Sequence, residues 1–294
     1  MKEGNFLSTK MVDFKNEKYP KLLNQINDAP KKIYYRGNLD ICNKPTLAVV
    51  GSRKYSSYGK LVCQQIVGPL SRMGITIVSG LALGIDGIAH KTTLENNGDT
   101  IAVLGSGINR LTPTSHDQLA KKILDNNGLI ISEYPDDLPP TKYTFPARNR
   151  IIAGLSLGCL VIEAAKKSGA LITAHCALDY NREVFSIPHP INSTTGKGAN
   201  KLIKIGAQLV DEYQTIVTGL GLEEIQPKNI KTNNISCDKQ EKAILKHICD
   251  EPRNIDYIAK QTKLDISVVN GKLSLLEIRG IIKNLGETKY VVNL

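Results

Sequence analysis

The chain has 294 residues, 41% of them apolar and 22% charged, an ordinary globular composition that excludes disordered and fibrous classes. Its 38 basic and 28 acidic residues leave a net charge of +10, divided as +4 over residues 1–45, +4 over 46–234 and +2 over 235–294; a generally basic body favours a polyanionic partner over a neutral one. The longest run free of charge and strong polarity, Ile151 to Ile162, is shorter than the ~20 residues of a membrane span, and Met1 to Phe6 lacks the regions of a secretory leader, so a cytoplasmic chain without a membrane partner is expected.

Residues 1–45 are read as an N-terminal extension packing on the main domain. A short helix is expected to close between Asn24 and Asp28, and Ile33-Tyr34-Tyr35 to form a short edge strand, before a junction at Asn43-Lys44-Pro45. From Thr46 short apolar runs alternate with helical stretches. The runs are 47–51, 75–80, 101–105, 129–133, 159–163 and 184–188, each apolar on both faces, as strands buried between helices must be. Between the first two, Tyr58 to Met73 carries apolar residues at 58, 61, 62, 66, 70 and 73, the spacing of one helix face. Strand alternating with helix over 46–225 predicts a doubly wound, mostly parallel sheet. Residues 226–237, polar and carrying Pro227, read as a linker. The remaining 238–294 hold three helical stretches, 238–249, 255–262 and 266–277, then two short strands about Gly286, the pattern of a small winged helix.

In an open parallel sheet, ligands bind beyond the carboxyl ends of the strands. Those ends here read Gly51-Ser52-Arg53, Ser79-Gly80-Leu81-Ala82-Leu83-Gly84 and Gly105-Ser106-Gly107. Glycine admits close backbone approach, following helix starts present N–H groups to phosphate oxygens, and Arg53 adds a bidentate donor. Two readings stand: tight strand–helix turns, or an anion site.

Lys142 to Arg150 packs three cations and two aromatics into nine residues. Cations that hold phosphates beside a ring that stacks a base are the elements of single-strand recognition. The alternative is a loop in which Phe145 plugs the core while the arginines pair with Glu133 or Asp137.

Enzymatic and metal motifs fail. Gly105 to Arg110 lacks the third glycine of a dinucleotide fingerprint, and Gly196-Lys197-Gly198 lacks the rest of a P-loop. The five histidines show no ligand spacing, His90 and His175 reading as packing residues. The six cysteines (42, 63, 159, 176, 237, 249) form no CxxC pair. No catalytic residue, metal or cofactor is expected.

Several long segments, in order, resemble the DNA-processing protein A (DprA/Smf) family. They are Gly51-Ser52-Arg53, the stretch from Ser79 to His90, Phe145-Pro146-x-Arg148-Asn149-Arg150, Glu163 to Ala174, and Gly198 to Ala207, within a match from Tyr19 to Val210. The resemblance implies a Rossmann-like domain that binds single-stranded DNA without enzymatic chemistry. It also implies a recombination mediator that helps load the RecA recombinase onto incoming strands in natural transformation, as a homodimer. Carried over by motif, Arg53 and Lys142 grip phosphates, Arg148 supports them, Phe145 contacts a base, and Gly51 and Ser52 form the pocket wall. Gly80, Asp86, Asn149, Arg150 and Glu163 are read as pocket scaffold.

The chain departs from the family pattern at Pro188-His189, where Pro-Gly is usual, which opens the role of the loop 191–198, and residues 1–45 are short for the helical module of some members. The winged helix offers Lys272 and Arg279 against Asp265 and Glu277, a weak set for duplex DNA, so partner-binding and structural roles stand beside it. Two other functions compete: a LOG-type nucleotide phosphoribohydrolase on a similar fold, whose catalytic-glutamate region Glu163 and the Ser168-Gly169-Ala170 turn loosely match although its Pro-Gly-Gly-x-Gly-Thr loop is absent here, and transcriptional control through the winged helix.

Overall fold

The computed structural model describes residues 8–224, 238–248, 253–278, 281–284 and 289–292. The linker reading at 226–237, with Cys237, Cys249, Arg279 and the Gly286 turn, lies outside the described residues. The chain divides into two compact units, 1–228 and 229–294.

The first unit is built on nine strands: β1 (Lys10–Asp13), β2 (Lys32–Gly37), β3 (Thr46–Val50), β4 (Thr76–Ser79), β5 (Thr100–Leu104), β6 (Leu129–Ser132), β7 (Gly158–Val161), β8 (Glu183–Ser186) and β9 (Gln208–Leu209). Their spatial order is β1-β2-β6-β5-β4-β3-β7-β8-β9. From β6 to β9 every pairing is parallel, while β1–β2 and β2–β6 are antiparallel. The six expected strands are therefore β3 to β8, joined into the predicted doubly wound sheet. The Ile33–Tyr35 strand is not an edge. β2 is flanked by β6 and by β1, because Val12 is buried and gives a short, otherwise exposed segment a reason to pair there.

The helices are α1 (Ser57–Arg72), α2 (Ile85–Glu95), α3 (Asp117–Asp125), α4 (Thr144–Gly154), α5 (Ala170–Asp179), α6 (Lys197–Lys204) and α7 (Tyr213–Gly219). Alternation along each strand decides which side they cover. Leu47 and Val49 of β3 pack with Cys63, Ile66 and Leu70 of α1 and Ile216 of α7. Ala48 and Val50 pack with Ile151 and Ile152 of α4, Ala174 of α5 and Leu202 of α6. Leu23, Ile26, Ile33 and Ile41 belong to that second core, so the N-terminal segment is built into the sheet and its cover. A single 3₁₀ turn at Leu23–Gln25 stands where a short helix was expected.

In the second unit α8 (Lys239–Ile248), β10 (Arg253–Asn254), α9 (Ile255–Thr262), α10 (Ile266–Ile278), β11 (Ile282–Asn284) and β12 (Lys289–Val292) follow in order. The strands pair as β10-β12-β11, all antiparallel. Ile244, Ile258, Val269, Leu273, Leu276 and Ile282 form its core, giving the three helices and hairpin of a winged helix. Among the described residues no helix is long and apolar enough to cross a membrane.

Candidate nucleic-acid interface

From β3 the chain steps one way to β4, β5 and β6; from β7 it steps the other way to β8 and β9. Loops leaving the adjacent strands β3 and β7 therefore diverge, and a crevice opens at the point of reversal. A cavity of about 560 Å³ lies there, between Gly51–Lys54 after β3, Ser168–Ala170 at the start of α5, and the facing Asp86 and Arg148.

The wall after β3 is held tightly. A Cβ on Gly51 would stand 2.6 Å from Cγ1 of Ile85, so only glycine lets this loop pass the start of α2. Gly84, at φ +86°, would put a Cβ 2.2 Å from the Ser52 carbonyl oxygen, which closes the opposite side of the same contact. The Ser52 amide donates to the Glu163 carbonyl at 2.7 Å, and its hydroxyl donates back to the Lys54 carbonyl at 2.6 Å. Arg53 is left pointing outward. Its guanidinium carbon lies 5.5 Å from the centroid of the Phe145 ring, and it makes no ion pair among the described residues.

Beneath this wall lie two buried charged side chains. Asp86, in the first turn of α2, accepts from the Gly80 amide at 3.1 Å. Arg148, 4% exposed, donates through Nη1 to the carbonyls of Gly80 at 2.7 Å and of Val103, and through Nε to Asn149 Oδ1 at 3.2 Å. A Cβ on Gly80 would fall 2.4 Å from that Nη1, so glycine lets the guanidinium lie on the backbone. Burial pulls the Arg148 pKa down to about 10 while Asp86 supports its charge. Burial likewise holds the Asp86 carboxyl above its ordinary range, against the pull of Arg148 and the Gly80 and Ala82 amides.

The cation-rich segment is a helix rather than a loop. The Thr141 hydroxyl accepts from the Thr144 amide at 3.3 Å and the Thr144 hydroxyl from the Thr141 amide at 2.9 Å, which starts α4 at Thr144. Pro146 then falls in the first turn, where no intrahelical donor is required. Helical spacing separates the two arginines. Arg148 reaches the crevice, whereas Arg150 pairs with Glu133 at 2.6 Å and Asp28 at 3.7 Å, so the paired alternative holds for Arg150. Asn149 lines the crevice and its amide donates to the Gly169 carbonyl at 3.3 Å, tying α4 to the turn before α5.

Phe145 is half-buried beside Gly105, where a Cβ would stand 2.9 Å from its ring. Lys142 is exposed, with Nζ 5.0 Å from the Tyr143 ring, three residues ahead of Phe145 and outside the cavity lining. Glu163 is fully buried. Its Oε2 accepts from the Ser56 amide at 2.9 Å and hydroxyl at 3.1 Å, so it serves the start of α1 and does not line the crevice. Lys54, Ala82, Ser168, Gly169, Thr173 and Thr195 also line it and were given no site role in the sequence; Ala82 stands in the quoted turn after β4, and Ser168, Gly169 and Thr173 inside the matched motif from Glu163 to Ala174.

His189 has a defined task. Its Nε2–H donates to the Ile162 carbonyl at 2.8 Å, its backbone exchanges two 2.9 Å bonds with the Asn200 side chain, and its ring meets Tyr58 edge-on. A Cβ on Gly196 would lie 2.2 Å from that of His189, so the 191–198 loop crosses the histidine on a glycine.

A cationic crevice at the reversal point of a Rossmann-like sheet, in a chain that also carries a winged helix, defines the class. Residues 10–221 match the sequence model of DNA recombination-mediator protein A, and residues 231–287 match that of the DprA winged helix domain. Protein Smf of Escherichia coli is 42% identical over 277 residues, covering 92% of this chain and 74% of that protein. DNA processing protein DprA of Streptococcus pneumoniae is 43% identical over 199 residues, 68% of this chain and 70% of that one. The solved Streptococcus pneumoniae structure superposes with a TM-score of 0.69 at 40% identity, over 73% of this chain and 75% of that one. The Helicobacter pylori protein, whose structure concerns its single-stranded DNA binding mode, gives 0.67 at 31% identity, over 74% and 98%. The chain belongs to the DNA recombination-mediator protein A family and is a DNA-processing recombination mediator.

Proposed function

We propose that the crevice binds single-stranded DNA with little regard to sequence. The observation that carries this is Arg53: a cation without an ion pair among the described residues, resting on an aromatic ring at the mouth of a crevice. Arg53 and Lys142 take successive phosphates, Phe145 offers its ring to a base, and Gly51 and Ser52 keep the wall thin enough for backbone approach. Arg148 supports them from below, with Asp86, Gly80 and Asn149 holding it in place. Arg150 and Glu163 act at one remove, through the Glu133 pair and the α1 start.

The bound strand is passed to RecA by a homodimeric, cytoplasmic protein without catalytic chemistry of its own. A dimer finds support in the open sheet edge at β9, where Leu209 and the neighbouring Ile205 are exposed. Fluorescence anisotropy of labelled oligo-dT and of an equal-length duplex, titrated across salt, tests the binding. Preference for the single strand with steep salt dependence is expected. Equal or absent binding to both would overturn it, and release of free base from nucleoside monophosphates would favour the hydrolase.

A further inference from the structure

We infer that the start of α5 forms a second phosphate subsite on the floor of the crevice, opposite Arg53. This rests on the single-strand reading above and adds to it a site that neither Arg53 nor Lys142 occupies. The groups are Ser168, Gly169, Thr173 and the second guanidinium nitrogen of Arg148.

A helix start alone would not make a site, and here much of it is already engaged. The Leu171 and Ile172 amides close back on the Ser168 and Gly169 carbonyls at 3.1 Å each. What remains faces the cavity. The Gly169 amide has no acceptor among the described residues, and the Ser168 hydroxyl accepts from the Ala170 amide at 3.3 Å, which leaves its proton for a ligand. Thr173 is 1% exposed, lines the crevice, and its hydroxyl has no hydrogen-bond partner among the described residues. Arg148 places Nη1 and Nε on protein acceptors and leaves Nη2 without one among the described residues. Two nearly buried side chains thus offer donors into the same cavity. The first turn of α5 carries no acidic residue, and Asp86, the one carboxylate in the lining among the described residues, is held by the Gly80 amide. Donors without acceptors among the described residues, a favourable helix dipole and a carboxylate already held by the Gly80 amide select an anion of phosphate size.

Gly169 permits a clean test. A Cβ there meets nothing within 4 Å, so Gly169→Asp introduces a charge without displacing neighbours, and an anion at a helix start does not destabilise the helix. Its melting temperature should equal or exceed that of the wild type. Oligo-dT affinity should fall about tenfold or more, with the salt slope reduced by about 0.7, the signature of one lost phosphate on a single strand. Thr173→Val should weaken binding less, about threefold. Gln214→Glu, an equal charge change on the exposed start of α7, should stay within about twofold.

Comparing 5′-phosphorylated with 5′-hydroxyl oligo-dT separates the two phosphate sources. An advantage for the phosphorylated strand that Gly169→Asp abolishes assigns the subsite to a terminal phosphate, and equal affinities assign it to an internal one. Wild-type binding by Gly169→Asp, or an equal loss from Gln214→Glu, would overturn the subsite. Arg53→Ala in the same series keeps the two readings apart: if it alone weakens binding, the subsite falls and single-strand binding stands, and if neither variant has an effect both fall.

Discussion

The crevice at the β3–β7 reversal and the winged helix both carry basic residues, but they hold them differently. At the crevice Arg53 stacks on Phe145 and has no carboxylate partner among the described residues. In the winged helix Lys272 of α10 pairs with Asp238 and lies 3.8 Å from Glu241, while the same helix exposes Ile266, Val268 and Leu275. A cation already neutralised by the protein releases little when a phosphate replaces its partner. Net charge of +10 therefore says that a polyanion is favoured; the pairing of individual cations says where it is received.

The sharpest way to break this contrast is to remove the cation that is buried in the crevice and held by backbone carbonyls. Arg148→Met should cost about 3–5 kcal/mol of folding stability, because the buried Gly80 and Val103 carbonyls would lose their donor and the buried Asp86 carboxyl the positive charge that acts on it. Urea unfolding of Arg148→Met and of the double variant with Asp86→Asn checks it. Recovery of part of the loss in the double variant is expected, and full stability in the single variant would mean that Arg148 is no strut.

An acid titration tests the same wall from behind. His90 is fully buried in α2. Thr100 donates its hydroxyl proton to the Ile77 carbonyl at 2.8 Å, so it accepts from the His90 Nδ1–H, which leaves Nε2 bare and without a partner among the described residues. Burial lowers its pKa from 6.5 to about 3, aided by His116 and Arg148. With the folded pKa below the unfolded one, the unfolded chain takes up the proton first. Stability is thus intact above about pH 7 and is lost as pH falls from 6.5 towards 3, on the order of 4 kcal/mol at the acid end. Urea midpoints against pH should show this slope, and His90→Asn should flatten it.

Arg53→Ala sharpens the comparison directly. Removing an outward-pointing cation should leave stability unchanged and weaken oligo-dT binding by about 1–3 kcal/mol, read by anisotropy. Near-wild-type affinity would take Arg53 out of the interface.

The two regions also differ in how readily the sequence reveals them. Strands β3 to β8 are legible because both faces are buried, so Leu47 to Val50 and Ile101 to Leu104 read as unbroken apolar runs. β1 and β9 leave no such trace, since only Val12 of the former is buried and both residues of the latter are exposed. Gly51-Ser52-Arg53 is legible as a turn at a strand end. Arg148 and Arg150 are not separable by type or neighbourhood. They lie on one helix two residues apart, and only the fold sets Glu133 and Asp28 against one and the Gly80 carbonyl against the other. Likewise Glu163 stands in a motif that suggests chemistry, but its partner Ser56 lies 107 positions earlier and only folding brings the two together.

The smallest expected effect lies in the winged helix. If α10 is no phosphate reader, Lys272→Ala should change oligo-dT affinity by less than about twofold and leave the salt slope unaltered, because its charge is already matched by Asp238. Deleting residues 235–294 should do the same for the single strand. A tenfold loss from either change would place the winged helix in the interface and make pairing within the protein a poor guide to which cations meet DNA. Unchanged binding, set beside the loss from Arg53→Ala, would leave the exposed Ile266, Val268 and Leu275 as the feature of α10 still to be explained, and they are the wrong chemistry for a phosphate backbone.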